Sequence, residues 1–189
     1  LEKTMAERHG YRHAVAMNSA GAALEALFWL YRYMGYKYVV VPNIAFYADW
    51  ITPYILGYKV LVVDTIAEKP LIDPRYVRKV AYEYGKVVIT AIPYFGAVDV
   101  NWVNELKEIA KEKKLAIIWD TAHCYGIRLG DLDIDPAAIS MYTTKILDAD
   151  NAGVLLTNNM FVYEKTSIMR YYGRKNGKLN IPGMNWGLS

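Results

Sequence analysis

Four short stretches carry residue types that can do chemistry. Asp120 and His123 stand three residues apart, just after the apolar run Leu115 to Trp119. Ser140 precedes Lys145 by five residues. Asn18-Ser19-Ala20-Gly21-Ala22-Ala23 opens an Ala- and Leu-rich segment, and Phe46 follows soon after Pro42. A lysine amine that loses its proton is a nucleophile for carbonyl carbon. A small-residue turn at a helix start can hold an anion on its free N–H groups. Each feature also has a plain structural explanation. Asp120 could cap a turn, His123 could be a hydrogen-bonded half-buried ring, and the Ser19-Ala20-Gly21 turn could let a helix pack closely. Three histidines and one cysteine, mostly far apart, make no zinc set, so no metal is expected.

The elements that position these residues alternate. Helices are expected over Ala20 to Met34, Phe46 to Leu56 (with Pro53 inside), Asp73-Pro74 to Tyr84, Asn101 to Lys113 and Met160 to Tyr172. Short apolar strands are expected over Lys37 to Val41, Lys59 to Val63, Lys86 to Ile92, Leu115 to Trp119 and Gly153 to Thr157. Strands that are apolar throughout, with helices between them, define an α/β protein with a parallel sheet covered on both faces. Ligands of such sheets sit beyond the carboxyl ends of the strands. The residues there are Asn43, Asp64, Asp120 and Thr143-Thr144-Lys145. From Gly173 onward the composition reads as loop.

The whole chain bounds the remaining classes. Its 189 residues suit one well-packed domain, and 54% of them are hydrophobic. A net charge of +3 with scattered basic residues argues against nucleic acid. No window approaches 18 uninterrupted apolar residues, and Leu1-Glu2-Lys3-Thr4 has no signal-peptide pattern, so no membrane span is expected. Cys124 is the single cysteine, which fits a cytoplasmic protein. Leu1 stands where an initiator methionine would, so the chain is expected to begin inside a longer one.

Order and spacing together resemble the DegT/DnrJ/EryC1/StrS family of pyridoxal-phosphate (PLP) sugar aminotransferases, from about Glu2 to Asn185. Ala14 to Leu24 is similar to the family's phosphate-loop segment, and Val40 to Phe46 to its Val-Pro-Ala-x-Thr-Phe stretch. Val62-Val63-Asp64 with Ile72-Asp73-Pro74 resembles the next strand and helix start. Tyr94 to Asp99 parallels Leu-Tyr-Gly-x-x-x-Asp. Asp120 to Gly126 matches Asp-x-Ala-(Gln/His)-x-x-Gly, and Ser140 to Leu147 matches Ser-Phe-x-x-x-Lys-x-Leu. Gly183-Met184-Asn185 is similar to a later Gly-x-Asn.

The resemblance implies a three-layer α/β/α fold with a mostly parallel sheet, the large domain of a PLP transferase. It implies a PLP domain over residues 1–172. Residues 173–189 would lead toward a C-terminal small domain that is absent here. Lys145 would form an aldimine with PLP, and Asp120 would pair with the pyridine nitrogen. Phe46 would stack on the ring and His123 would bond near its oxygen. Ser140, Ser19, Ala20 and Gly21 would hold the phosphate, and Asn185 would reach the phosphate of a neighbouring subunit. That last role implies a homodimer with shared sites. The implied reaction moves an amino group, with glutamate as donor, to a nucleotide-linked keto-sugar.

The sequence also departs from the family. Ser19-Ala20-Gly21 replaces Ser-Gly-Thr and so lacks the threonine hydroxyl. Asp150-Asn151-Ala152-Gly153 replaces Gly-Glu-Gly-Gly, and Gly187 replaces an arginine. These changes motivate a second reading, a truncated non-catalytic relative that serves as a binding or regulatory subunit.

Overall fold

A computed structural model describes residues 1–188. Seven strands form one sheet in the order β1-β7-β6-β5-β4-β2-β3. They are β1 (His13–Met17), β2 (Tyr38–Pro42), β3 (Lys59–Val63), β4 (Val87–Ala91), β5 (Ala116–Asp120), β6 (Ala137–Tyr142) and β7 (Asn151–Thr157). Strands β3, β2, β4, β5 and β6 run parallel, whereas β7 is antiparallel to both β6 and β1. The sheet is therefore mostly parallel, as expected.

Six helices cover it: α1 (Glu2–His9), α2 (Ala20–Tyr33), α3 (Tyr47–Ile55), α4 (Pro74–Tyr84), α5 (Val100–Lys113) and α6 (Met160–Met169). Successive strand residues point to opposite faces. Ile89, Ile117, Trp119 and Ile139 pack with α1, α4 and α5 on one side. Val88, Ile118, Ala138 and Leu155 pack with α2 and α6 on the other. Ala48 and Leu56, at the two ends of α3, flank this second cluster. Two separate cores on one sheet make the three layers.

Local signals explain most boundaries. Asp73 caps α4 by accepting from the Arg75 N–H at 2.9 Å, with Pro74 in the first turn. Asp99 caps α5 through Asn101 and Trp102, so the helix begins at Val100, one residue before the expected Asn101. Pro53 sits within α3 without ending it.

Other expectations need correction. α1, β1 and β6 are elements that composition did not suggest. α6 ends at Met169, three residues early, where the Arg170 side chain turns back to the Ala16 carbonyl. Residues 174–179 are not loop but a small hairpin, β8 (Arg174–Lys175) and β9 (Lys178–Leu179). Strand β3 is not covered on both faces: it is the sheet edge, and Val62 is 63% exposed. The tail beyond the hairpin packs back on the second core through the buried Ile181 and Trp186. Ser189 lies outside the described residues.

Candidate active site

The period of two along the strands places the site. Asp120 shares the parity of Ala116 and Ile118, which pack on the second core. Ser140 shares that of Ala138, whose register partner across the β5–β6 pair is Asp120. Both side chains thus end on one face at the carboxyl ends of adjacent strands. Both are buried. Lys145, half-buried, follows on the turn that leaves β6, where its N–H donates to the Tyr142 carbonyl at 2.8 Å.

The start of α2 closes the site from the opposite wall. Ser19 caps the helix, its Oγ accepting from the Ala22 N–H at 3.0 Å. The N–H groups of Ala20 and Gly21 lie in the first turn and have no intrahelical acceptor. The helix comes this close because Gly153 has no side chain. A Cβ there would stand 2.2 Å from the Ala20 nitrogen.

A cavity of about 420 Å³ results. Ser19, Ala20, Gly21, Phe46, Asp120, His123, Ser140 and Lys145 all line it. Leu24, Ala48, Ile92, Tyr94, Ala122, Tyr142, Thr144, Asn151 and Ala152 complete the wall. Phe46 stands at the rim, 61% exposed. Asn185 does not line it. It is exposed, and its carbonyl accepts from the Asn18 side chain at 3.4 Å, next to the start of α2. Asn43 and Asp64, the other strand-end residues, bond each other at 3.1 Å outside the cavity. A larger open cleft of about 690 Å³ lies at the opposite end of the sheet, beside the C-terminal half of α5 and the start of β5. None of these site residues lines it.

The electrostatics are specific. Burial raises the Asp120 pKa, while the Ala122 N–H at 3.0 Å and the Lys145 charge favour its ionised form. His123 is held below its usual 6.5, first by burial and then by Lys145. Its Nδ1 accepts from the Phe95 N–H at 3.2 Å, so the proton of the neutral ring sits on Nε2. The neighbouring Cys124 thiol is pushed up to about 12, mainly by burial.

Sequence reasoning missed one group. Asp49, in the first turn of α3, is fully buried, and its carboxyl meets that of Asp120. Its signal was an acidic residue three positions after Phe46 within the apolar stretch YADWITPYI.

A parallel sheet flanked by two helical layers, with its cavity beyond the strand ends, defines a three-layer α/β/α domain of the kind found in PLP aminotransferases. The chain belongs to the DegT/DnrJ/EryC1/StrS aminotransferase family, which it matches over residues 1–189. It is 29% identical, over 62% of its length and 32% of the relative's, to a dTDP-3-amino-3,4,6-trideoxy-alpha-D-glucose transaminase of Micromonospora megalomicea subsp. nigra. It is 23% identical, over 92% of its length and 46% of the relative's, to a UDP-4-amino-4,6-dideoxy-N-acetyl-beta-L-altrosamine transaminase of Campylobacter jejuni. Among solved structures, 3-amino-5-hydroxybenzoic acid synthase is similar with a TM-score of 0.87 at 25% identity. That likeness covers 99% of this chain and 50% of that one. NtdA from Bacillus subtilis with bound cofactor PMP gives 0.86 at 24% identity, covering 99% and 43%. The chain thus spans half or less of the length of these relatives. Among the described residues no helix is long and apolar enough to cross a membrane, and no group of His, Cys, Asp and Glu is arranged to hold a metal ion.

Proposed function

We propose that the protein binds pyridoxal phosphate and moves an amino group from glutamate to a keto-sugar carried on a nucleotide. The observation that carries this reading is one cavity lined by Asp120, His123, Ser140 and Lys145 together with the free start of α2. Its chemistry fits the cofactor end to end. The Ala20 and Gly21 N–H groups and the Ser19 and Ser140 hydroxyls offer an anion site for the phosphate. Asp120 offers a buried carboxylate for a ring nitrogen, and the Lys145 amine stands near it. The two curated relatives, named as transaminases of dTDP- and UDP-linked sugars, support the substrate class.

Bound pyridoxal phosphate supplies an aldehyde carbon and a ring that withdraws electrons. The protein's residues do the rest. Lys145 Nζ would hold the cofactor's aldehyde carbon and give way to the incoming amino donor. Its free amine would be the base that takes the proton from the donor's α-carbon and the acid that gives it back. Asp120 would accept a hydrogen bond from the protonated ring nitrogen. His123 would donate from Nε2 to the ring oxygen, and Phe46 would cover one ring face.

Asn185, exposed beside the start of α2, serves the phosphate of a second subunit, and the active unit is a homodimer. The exposed apolar side chains of Tyr47, Trp50, Tyr54 and Ile55 on α3, beside the open edge of β3, support such an interface. Residues 1–172 form the cofactor domain, and the tail from 173 leads toward a smaller one. One buried thiol and no disulfide suit the reducing cytoplasm.

The test is the half-reaction. Protein loaded with pyridoxal phosphate is mixed with L-glutamate, and 2-oxoglutarate is measured against loss of the visible cofactor absorbance. One equivalent per site is expected, and none from Lys145→Ala. Tight cofactor binding with no keto acid formed from any amino acid would establish the non-catalytic binding subunit instead.

A further inference from the structure

Asp49 is a buried acid with an incomplete set of partners. It is 0% exposed. Its Oδ2 accepts from the Phe46 N–H at 3.1 Å, which fixes the backbone that carries the rim aromatic. Its Oδ1 meets no N–H or hydroxyl donor. What the carboxyl does meet is the carboxyl of Asp120, itself only 5% exposed.

Two buried carboxylates in contact cannot both carry charge, so a proton must lie between them. The surroundings decide which acid keeps it. Asp120 has the Ala122 N–H and the positive Lys145 on its side. Asp49 has only the Phe46 N–H. The other titratable groups nearby are Tyr94 after β4 and His123 and Cys124 after β5. None of them adds a positive charge at neutral pH, since burial and Lys145 keep His123 neutral. Burial, and then the Asp120 charge, drives Asp49 well above the ordinary carboxylate range. The hydrogen bond from Asp49 in turn favours the ionised form of Asp120.

We propose that Asp49 is the positioning residue for Asp120: it keeps a proton at neutral pH, donates it in a hydrogen bond to Asp120, and leaves Asp120 ionised and oriented toward the cavity. Resting on the cofactor reading above, the consequence is that Asp49 sets how firmly Asp120 pairs with the ring nitrogen. Through the Phe46 N–H, Asp49 also ties the ring-covering aromatic to the same carboxyl pair. A wrongly charged or missing Asp49 would disturb both at once.

The first test needs no cofactor. Infrared difference spectra of the ligand-free protein are expected to show the carbonyl stretch of a protonated carboxylic acid at neutral pH. Glu25 and Asp135, also raised by burial, can contribute to that region. The decisive quantity is therefore the difference between wild type and Asp49→Asn, which should lack one such carbonyl. Equal spectra would overturn the proposal.

The second test compares substitutions. Asp49→Asn keeps an acceptor for Phe46 and an N–H donor for Asp120, so its dissociation constant for pyridoxal phosphate should stay within about threefold of wild type. Asp49→Ala removes both and should weaken binding about tenfold or more, since a hydrogen bond to a buried charge is lost. Equal affinities of the Asn and Ala variants would overturn the positioning role. A protein that shows the Asp49 carbonyl but takes up no pyridoxal phosphate would overturn the function proposed above and leave the shared proton in place.

Discussion

The backbone N–H of Phe95 donates to Nδ1 of His123 at 3.2 Å, and the two rings stack with an interplanar angle of 4°. An imidazole nitrogen that accepts cannot carry the proton, so His123 is the Nε2–H tautomer. Nitrogen-15 spectra of the imidazole should show this tautomer and a titration midpoint below 6.5. A group whose basicity falls on folding binds protons more readily unfolded. Its contribution to stability is therefore present above its unfolded value and declines as pH drops through it.

Gly153 and Gly21 make opposite predictions. A Cβ on Gly153 would meet the backbone of Ser19 and Ala20 at 2.2 Å, whereas one on Gly21 would find only Ser19 Oγ at 3.6 Å. Gly153→Ala should push the start of α2 off the sheet and destabilise by on the order of 3 kcal/mol. Gly21→Ala should stabilise by about 0.5–1 kcal/mol, because a helical glycine loses more backbone freedom on folding. Urea denaturation of the two variants measures both.

Glu2 joins three elements. Its Oε1 accepts from the Ala16 N–H at 2.8 Å and from Arg170, which also donates to the Ala16 carbonyl at 3.0 Å. Replacing Arg170 by Met should cost about 1.5–3 kcal/mol, the range for hydrogen bonds to charged groups. Thermal unfolding would register it as a lower Tm.

The tail is held by Trp186. Its Nε1 donates to Glu25 at 3.0 Å, its ring meets Trp29 edge-on, and its carbonyl accepts from Asn18 at 2.8 Å. Trp186→Ala should cost about 3–5 kcal/mol. Limited proteolysis should then cut faster within residues 173–188 than in the parent protein.

The residues that announced themselves in the sequence were those with strong local causes. Asp73-Pro74 set the start of α4 because a cap and a proline act within one turn. The run Leu115 to Trp119 gave β5 because a strand buried on both faces has no polar interruption. β1 and β6 were hidden. His13–Met17 and Ala137–Tyr142 each include small or polar residues, and it is pairing with neighbours distant in the chain that makes them strands: β1 with β7, and β6 with both β7 and β5. The hairpin at 174–179 did carry a signal. Asn176-Gly177 adopts φ of 52° and 76°, the positive pair that a two-residue hairpin turn requires. The site was legible where spacing carried it, at Asp120, Ser140 and Lys145. Asp49 was not, because its partner lies 71 residues away in the chain and only the folded chain brings the two carboxyls together.

Borohydride reduction of the protein with bound pyridoxal phosphate, followed by peptide mapping, identifies the lysine that carries the cofactor. One reduced cofactor per chain is expected, fixed on Lys145, with uptake lost in Lys145→Ala and weakened in Asp120→Ala. Label spread over surface lysines such as Lys3, Lys111 and Lys178, with Lys145 unmodified, would contradict it.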